Sequence, residues 1–158
     1  MLEREDGHIV HISSLLAKVD SPYSVSYAAA LAGLAHFSRS LRAELRRSGV
    51  SSSTVSPGLV GGSGMGQERM DAAGVSAPRL MGTVSPDKVA AAVLKAIRKD
   101  KAEVLVGPPD VKLLTQSPGF ASRMFGRIGA WEMMRRLSEA TPGPAPAPQT
   151  APRPDPSR

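Results

Sequence analysis

A serine, a tyrosine and a Pro-Gly pair are the residues of this sequence whose types and spacing could carry chemistry. Ser14 closes a β-branched run, Tyr27 follows thirteen residues later, and Pro57-Gly58 begins thirty residues after the tyrosine. A serine hydroxyl can donate a hydrogen bond to a substrate oxygen, and a tyrosine hydroxyl can exchange a proton with it.

Each of these residues also has an ordinary structural explanation when it is taken alone. Ser14 would be a strand-end or turn residue, Tyr27 a core residue on a helix face, and Pro57-Gly58 a turn. Whether these residues form a functional site therefore depends on where they lie relative to the predicted strands.

Short β-branched runs alternate with helical segments along the chain. Strands are predicted at 8–13, 50–55 and 102–107, with a long helix at 24–48 and another that begins at Pro86 after the N-cap Ser85. This order requires parallel strands with right-handed crossovers. We predict an α/β fold, the C-terminal part of a doubly wound, Rossmann-like parallel sheet with about three strands. Ligands bind such sheets at the carboxyl ends of the strands, where Ser14 and Pro57-Gly58 stand.

The long helix is predicted to be amphipathic, and Gly49 follows it where a residue tolerant of positive φ is needed. One face of the helix carries the apolar residues Tyr27, Leu31, Leu34, Leu41 and Leu45. Another face carries arginines, Arg39, Arg42, Arg46 and Arg47 among them, which we interpret as a solvated helix face. The apolar stripe should dock the helix on the sheet.

The remainder of the chain is less regular. Residues 59–84 are rich in Gly, Ser, Met and Ala, and a mobile loop with a short helix at 67–73 is expected there. Two short helices split near Gly129 should end the ordered part. We predict a partial Rossmann-like domain at 1–140, without its N-terminal nucleotide-binding half, and a disordered Pro/Ala-rich tail at 141–158.

The composition argues against several kinds of site and partner. The absence of cysteine rules out a disulfide framework and a thiolate site, and agrees with a cytoplasmic setting. The net charge of +6 comes from scattered basic residues without a groove-reading motif or stacking platform, so we expect no nucleic-acid partner. No apolar run approaches the roughly 20 residues of a membrane span. The histidines His8, His11 and His36 are too scattered for a metal site and are interpreted as packing or surface residues.

Several segments resemble successive landmarks of the short-chain dehydrogenase/reductase family. The run Gly7-His8-Ile9-Val10-His11-Ile12-Ser13-Ser14, then Tyr27, then Pro57-Gly58 match that family in type and spacing. Similarity continues through Phe37 to Leu45 with Gly49-Val50, and through Ser85 to Ala90 leading to Val104 to Pro108. The resemblance covers about residues 1–131.

The resemblance implies an oxidoreductase that moves a hydride between NAD or NADP and a small carbonyl or alcohol substrate. Tyr27 would then be the acid/base, Ser14 the substrate-oxygen donor, and Pro57, Gly58 and Val60 would contact the cofactor. It also implies that helix 24–48 pairs two subunits in a homo-oligomer. The substrate and the choice between NAD and NADP are not encoded in these residues.

Two departures from the family pattern bear on activity. Leu31 occupies the place of the lysine that stabilises the phenolate and holds the cofactor ribose, and Lys18 in the preceding loop is the one nearby replacement. No Gly-rich phosphate-binding turn precedes Ser14. The first expectation is therefore a truncated, poorly active oxidoreductase. The alternatives are a non-catalytic remnant that serves self-association, and a basic interaction module.

Overall fold

The computed structural model describes residues 1–62, 64–79, 82–107, 115 and 118–140. The strands are β1 Gly7–Ile12, β2 Val50–Pro57 and β3 Glu103–Val106. The helices are α1 Val25–Glu44, α2 Met65–Ala72, α3 Pro86–Arg98, α4 Pro118–Arg127 and α5 Ala130–Ala140, with 3-10 turns at Leu2–Arg4 and Leu15–Lys18. The predicted tail at 141–158 lies outside the described residues.

The three strands form one parallel sheet in the order β1-β2-β3. Gly7 pairs with Val50 and Ile12 with Val55, while Pro57 pairs with Val106 on the other side of β2. The predicted α/β class and the three-stranded parallel arrangement are confirmed. The second strand is longer than predicted, since Pro57 still pairs within the ladder; proline is tolerated there because its missing N–H falls at the strand end.

Side chains of β2 alternate between two different faces of the sheet. Val55 is fully buried against Ala92 and Ala96 of α3, with valines of β1, β3 and α3 packed around them. On the opposite face Ser52 meets α1, where its Oγ lies 2.9 Å from Ser38 Oγ. One face is thus an aliphatic core. The other is packed through small polar side chains, of which Ser52 pairs with Ser38, whereas the buried hydroxyls of Thr54 and Ser56 have no hydrogen-bond partner among the described residues.

Helix α1 packs on the sheet through the side predicted, but the small residues beside the leucines are the ones most deeply buried. Its buried residues are Ala35 and Ser38, the leucines of the predicted stripe are half-buried, and Tyr27 is 44% exposed. The prediction that Tyr27 packs with the stripe was therefore wrong. Small residues face the sheet because the serine-rich surface of β2 admits close approach of the helix backbone.

The helix also stops earlier than the predicted residue 48. Turns follow Glu44, and Gly49 then takes a φ of 72°, as predicted for a residue after a helix end. A side chain at Gly49 would place its Cβ 1.8 Å from the carbonyl oxygen of Glu5. Glycine is required here both by its backbone angle and by the close approach of residues 1–6.

The segment after β2 is partly ordered by methionines. Met70 of α2 is buried with Met133 and Met134 of α5, which links the predicted short helix to the end of the described chain. The last two helices are divided by Gly129 at a φ of 77°, which confirms the predicted split. Within the described part of the chain, no helix is long and apolar enough to cross a membrane.

Candidate active site at the carboxyl edge of the sheet

Ser14 lies directly after β1 and caps the 3-10 turn that follows. Its Oγ accepts a hydrogen bond from the Leu16 amide at 3.2 Å, which leaves the hydroxyl proton available for donation. Its neighbour Ser13 is buried and donates its hydroxyl to the Leu31 carbonyl at 3.0 Å. Ser13 thus anchors α1 to the strand end, and Ser14 is the serine that can serve a ligand.

Tyr27 occupies the first turn of α1, and the turn at Leu15–Lys18 packs against the same helix. The elements that carry the two candidate catalytic residues therefore meet at the carboxyl end of β1. The exposed ring of Tyr27 is accessible to a ligand, whereas Leu31, four residues on, is half-buried on the same face of the helix. A leucine at that place offers the phenol no charge and no hydrogen bond.

Lys18, the possible replacement for the missing lysine, forms an ion pair with Glu103. Its Nζ lies 2.7 Å from Glu103 Oε1, and both side chains are largely buried. This ion pair connects the turn after β1 to the start of β3. A carboxylate beside the ammonium offsets the positive charge that would otherwise stabilise a phenolate.

The Pro-Gly pair completes the same edge from the neighbouring strand. The Gly58 amide donates to the Val106 carbonyl at 2.8 Å, and a Cβ at Gly58 would lie 3.3 Å from Leu15 Cδ1. The chain then continues to Val60, which forms a parallel bridge with Val84. The ends of β1, β2 and β3 are thereby brought together around Gly58.

The described residues fit only part of a dinucleotide cofactor. The backbone from Pro57 to Val60 lies where the family resemblance puts the nicotinamide contact. Glycines follow, Gly62 and Gly64 with positive φ, before α2 begins. In the described part of the chain we find no Gly-rich turn between a first strand and helix of the kind that seats a pyrophosphate.

A Ser-His-Asp cluster lies toward the amino ends of the strands, away from Ser14. The sequence did not predict it. His8 Nε2 is 2.7 Å from Ser53 Oγ, and His8 Nδ1 is 3.8 Å from Asp100 Oδ1. Ser53, however, is fully buried and donates its hydroxyl to the Lys101 carbonyl at 2.5 Å. The serine can therefore neither reach a substrate nor give its proton to the histidine, and the network is structural.

Asp100 is the anionic centre of that network. It accepts hydrogen bonds from Arg42 and from Ser51 Oγ at 2.6 Å, and these bonds lower its pKa to about 2. The same carboxylate raises the pKa of Arg42. The other two histidines have packing or surface contacts as interpreted: His11 stacks on Phe37 and His36 Nδ1 accepts from Arg39.

The parallel sheet, its crossover helices and the residues at its carboxyl edge define a Rossmann-like α/β protein. The sequence model of a family described as short chain dehydrogenase matches residues 1–74. The ketoacyl reductase HetN of Nostoc sp. strain PCC 7120 is 35% identical over 148 residues, which cover 88% of this chain and 50% of that protein.

Two solved structures extend the comparison. The actinorhodin polyketide ketoreductase, in its F189W form with NADPH, superimposes with a TM-score of 0.58 at 27% identity, covering 67% of this chain and 47% of its own. A short chain dehydrogenase from Burkholderia cenocepacia in complex with NADP gives a TM-score of 0.61 at 24% identity, covering 80% and 50%. The chain belongs to the short-chain dehydrogenase/reductase family. It spans about half the length of the curated relatives it matches.

Proposed function

We propose that this chain carries the substrate edge of an NAD(P)-dependent oxidoreductase that acts on a carbonyl or alcohol substrate. The observation that supports the proposal is that Ser14 caps the turn after β1, and that this turn contacts α1, which carries Tyr27 in its first turn. In this view residues 1–140 are part of a larger Rossmann-like domain, because the relatives are about twice as long. The printed names of a ketoacyl reductase and a polyketide ketoreductase support a carbonyl substrate.

The roles of the two residues follow from their surroundings. Ser14 Oγ is held by the Leu16 amide and donates its proton to the substrate oxygen. Tyr27, exposed at the first helical turn, gives a proton to that oxygen in reduction and takes it back in oxidation. Pro57, Gly58 and Val60 would hold the nicotinamide, which would supply or accept the hydride when bound.

We also propose that turnover by this chain is slow. Leu31 cannot stabilise a phenolate, and the ammonium of Lys18 is paired with Glu103. General acid–base assistance is worth about 10²- to 10⁴-fold in rate, and much of it depends on how readily the acid and its conjugate base interconvert. Weak cofactor binding and slow chemistry are therefore both expected.

A pair of tyrosine variants tests the proposal. NADH and NADPH fluorescence is titrated with protein, and oxidation of each cofactor is followed with a β-ketoester as carbonyl substrate. We expect saturable quenching and a slow rate that Tyr27→Phe removes. Tyr23→Phe is the matched control, because Tyr23 is also exposed and lies just before α1. Equal losses in both variants, or no quenching by either cofactor, would overturn the proposal.

A second candidate function is self-association by a non-catalytic chain. It is favoured by the outer side of α1, where Val25 and Phe37 are exposed together with Ala29, Ala30 and Gly33. Small residues allow two such helices to approach closely. Size-exclusion chromatography with light scattering should give a dimer mass that Gly33→Glu reduces to that of a monomer. A monomeric wild-type chain, or a broad distribution of larger masses, would count against this alternative.

A further inference from the structure

A cavity of about 1040 Å³ lies at the amino edge of the sheet, at the opposite end of the strands from Ser14 and Pro57. Its walls come from residues 1–8, from the C-terminal half of α1 and from the turn after α3. Among the described residues that line it, none belongs to the proposed carboxyl-edge site. The cavity therefore needs an explanation separate from the oxidoreductase chemistry.

Three arginines line one side of this cavity, two on α1 and one in the turns that follow the helix. Arg39 and Arg42 are three residues apart on one face of α1, and Arg46 lies just beyond the helix end. The next residue, Arg47, does not line the cavity. All four arginines were predicted to form a solvated helix face, but only the first three line the cavity.

The charges around the cavity do not balance. Arg4 joins these three arginines, and the acidic residues on the walls are Asp6 and Asp100. Arg42 is neutralised by its paired hydrogen bonds to Asp100. The lining side chains of Arg4, Arg39 and Arg46 are then matched by the carboxylate of Asp6, which leaves a formal surplus of two positive charges with His8 neutral. Like charges around one cavity repel, and a bound anion relieves that repulsion.

Apolar side chains occupy other parts of the wall. Leu45, Val50 and Ile97 line the cavity, and Ile97 is 42% exposed. The volume is at the upper end of the roughly 300–1000 Å³ of small-molecule pockets, far larger than a bare phosphate needs. The ligand that matches both the charge and the lining is a dianion with an apolar body.

We propose that this cavity binds a small organic phosphate. Its phosphate oxygens pair with the guanidinium groups of Arg39 and Arg46, whose planar fork suits phosphate, and its apolar body rests on Ile97 and Val50. Arg42 stays with Asp100 and holds the wall in place. The site is independent of Tyr27 and of cofactor binding.

Calorimetric titration of the full chain with phenyl phosphate, inorganic phosphate and phenol at constant ionic strength tests the proposal. We expect saturable binding of phenyl phosphate, weaker binding of inorganic phosphate and no binding of phenol. Arg39→Ala and Arg46→Ala should each weaken phenyl phosphate about tenfold, since a hydrogen bond to a charged group contributes on that order. Arg47→Ala removes the same charge one residue away and should leave the affinity unchanged.

Three results would overturn the proposal. They are no saturable binding of phenyl phosphate to the wild-type chain, an equal loss in Arg46→Ala and Arg47→Ala, and equal affinity for inorganic phosphate and phenyl phosphate. The second result would indicate diffuse attraction by surface charge, and the third would exclude an organic body. Circular dichroism of each variant verifies folding, and Tyr27→Phe should bind phenyl phosphate normally, which separates this site from the proposed oxidoreductase activity.

Discussion

Arg42 and Asp100 form a two-pronged ion pair, with Nη1 2.8 Å from Oδ1 and Nη2 2.7 Å from Oδ2. The arginine belongs to α1 and the aspartate to the turn after α3, so the pair joins helices on opposite faces of the sheet. Arg42 Nη1 also donates to the Ser52 carbonyl at 3.1 Å, and Asp100 accepts from Ser51. The ion pair therefore links both helices to the amino ends of the strands.

Removing the carboxylate charge should weaken the fold. Asp100→Asn keeps the shape but loses the charge-assisted pair, and we expect the free energy of unfolding to fall by about 1 kcal/mol, the low end for such bonds because Asp100 is 58% exposed on its side chain. Urea denaturation measures the change. Asp20→Asn, at an exposed position, is the control and should be neutral. Similar midpoints for wild type and Asp100→Asn would contradict the role of the pair.

The same contact makes stability depend on acid. The pKa of Asp100 is lowered from 3.8 to about 2 in the folded chain by its bonds to Arg42 and Ser51. A lowered folded pKa means that the stabilisation is complete above about pH 4 and is lost as the pH falls toward 2. Unfolding free energies measured from pH 5 down to pH 2 should fall less steeply for Asp100→Asn than for wild type. Parallel curves would refute the linkage.

The buried serine pair offers a double-mutant test. Ser38→Ala or Ser52→Ala alone leaves one buried hydroxyl without its partner, which should cost about 1–3 kcal/mol. The double variant removes both hydroxyls and should be closer to wild type than the sum of the single variants. Thermal or urea unfolding of all four proteins gives the coupling energy. Strict additivity would show that the two hydroxyls do not depend on each other.

Alanine substitutions at two glycines are expected to have opposite effects on stability. Gly49→Ala forces a side chain against the Glu5 carbonyl at a φ of 72°, so we expect a loss of about 2 kcal/mol or more. Gly33→Ala lies inside α1 with nothing within 4 Å of the new Cβ, and should add about 0.5–1 kcal/mol by helix propensity. Melting temperatures should therefore move in opposite directions. Stabilisation by Gly49→Ala would show that residues 1–6 do not hold that position in solution.

Restoring a lysine tests the interpretation of Leu31. Leu31→Lys places an ammonium four residues after Tyr27, and the bond from Ser13 to the Leu31 carbonyl does not need the side chain. We expect cofactor oxidation to rise by about tenfold or more, with the gain largest near neutral pH. Ala30→Lys adds the same charge at the exposed neighbouring position and should have no such effect. If the two lysine variants respond alike, or the activity of Leu31→Lys also survives Tyr27→Phe, the assigned roles are wrong.

Local patterns in the sequence were sufficient to predict the strands and most of the helices, and they named the candidate site residues. The β-branched runs predicted three strands, Ser85 and Pro86 predicted the start of α3, and Gly129 predicted the break between α4 and α5. These signals are local, since a strand, a cap or a turn depends on residues a few positions apart. The family resemblance singled out Ser14 and Tyr27. The predicted order of strands and helices then put both residues near the carboxyl ends of the strands.

The partnerships were decided by the tertiary structure. Arg42 and Asp100 are 58 residues apart in the sequence, His8 and Ser53 are 45 apart, and Lys18 pairs with the distant Glu103. The periodicity of a sequence does not predict contacts at such separations. Helical spacing identified the apolar stripe of α1, but the tertiary structure decided that Ala35 and Ser38 come closest to the sheet and that Tyr27 stays exposed. Sequence patterns specify which residues can form an element, whereas the docking of elements specifies which side chains meet.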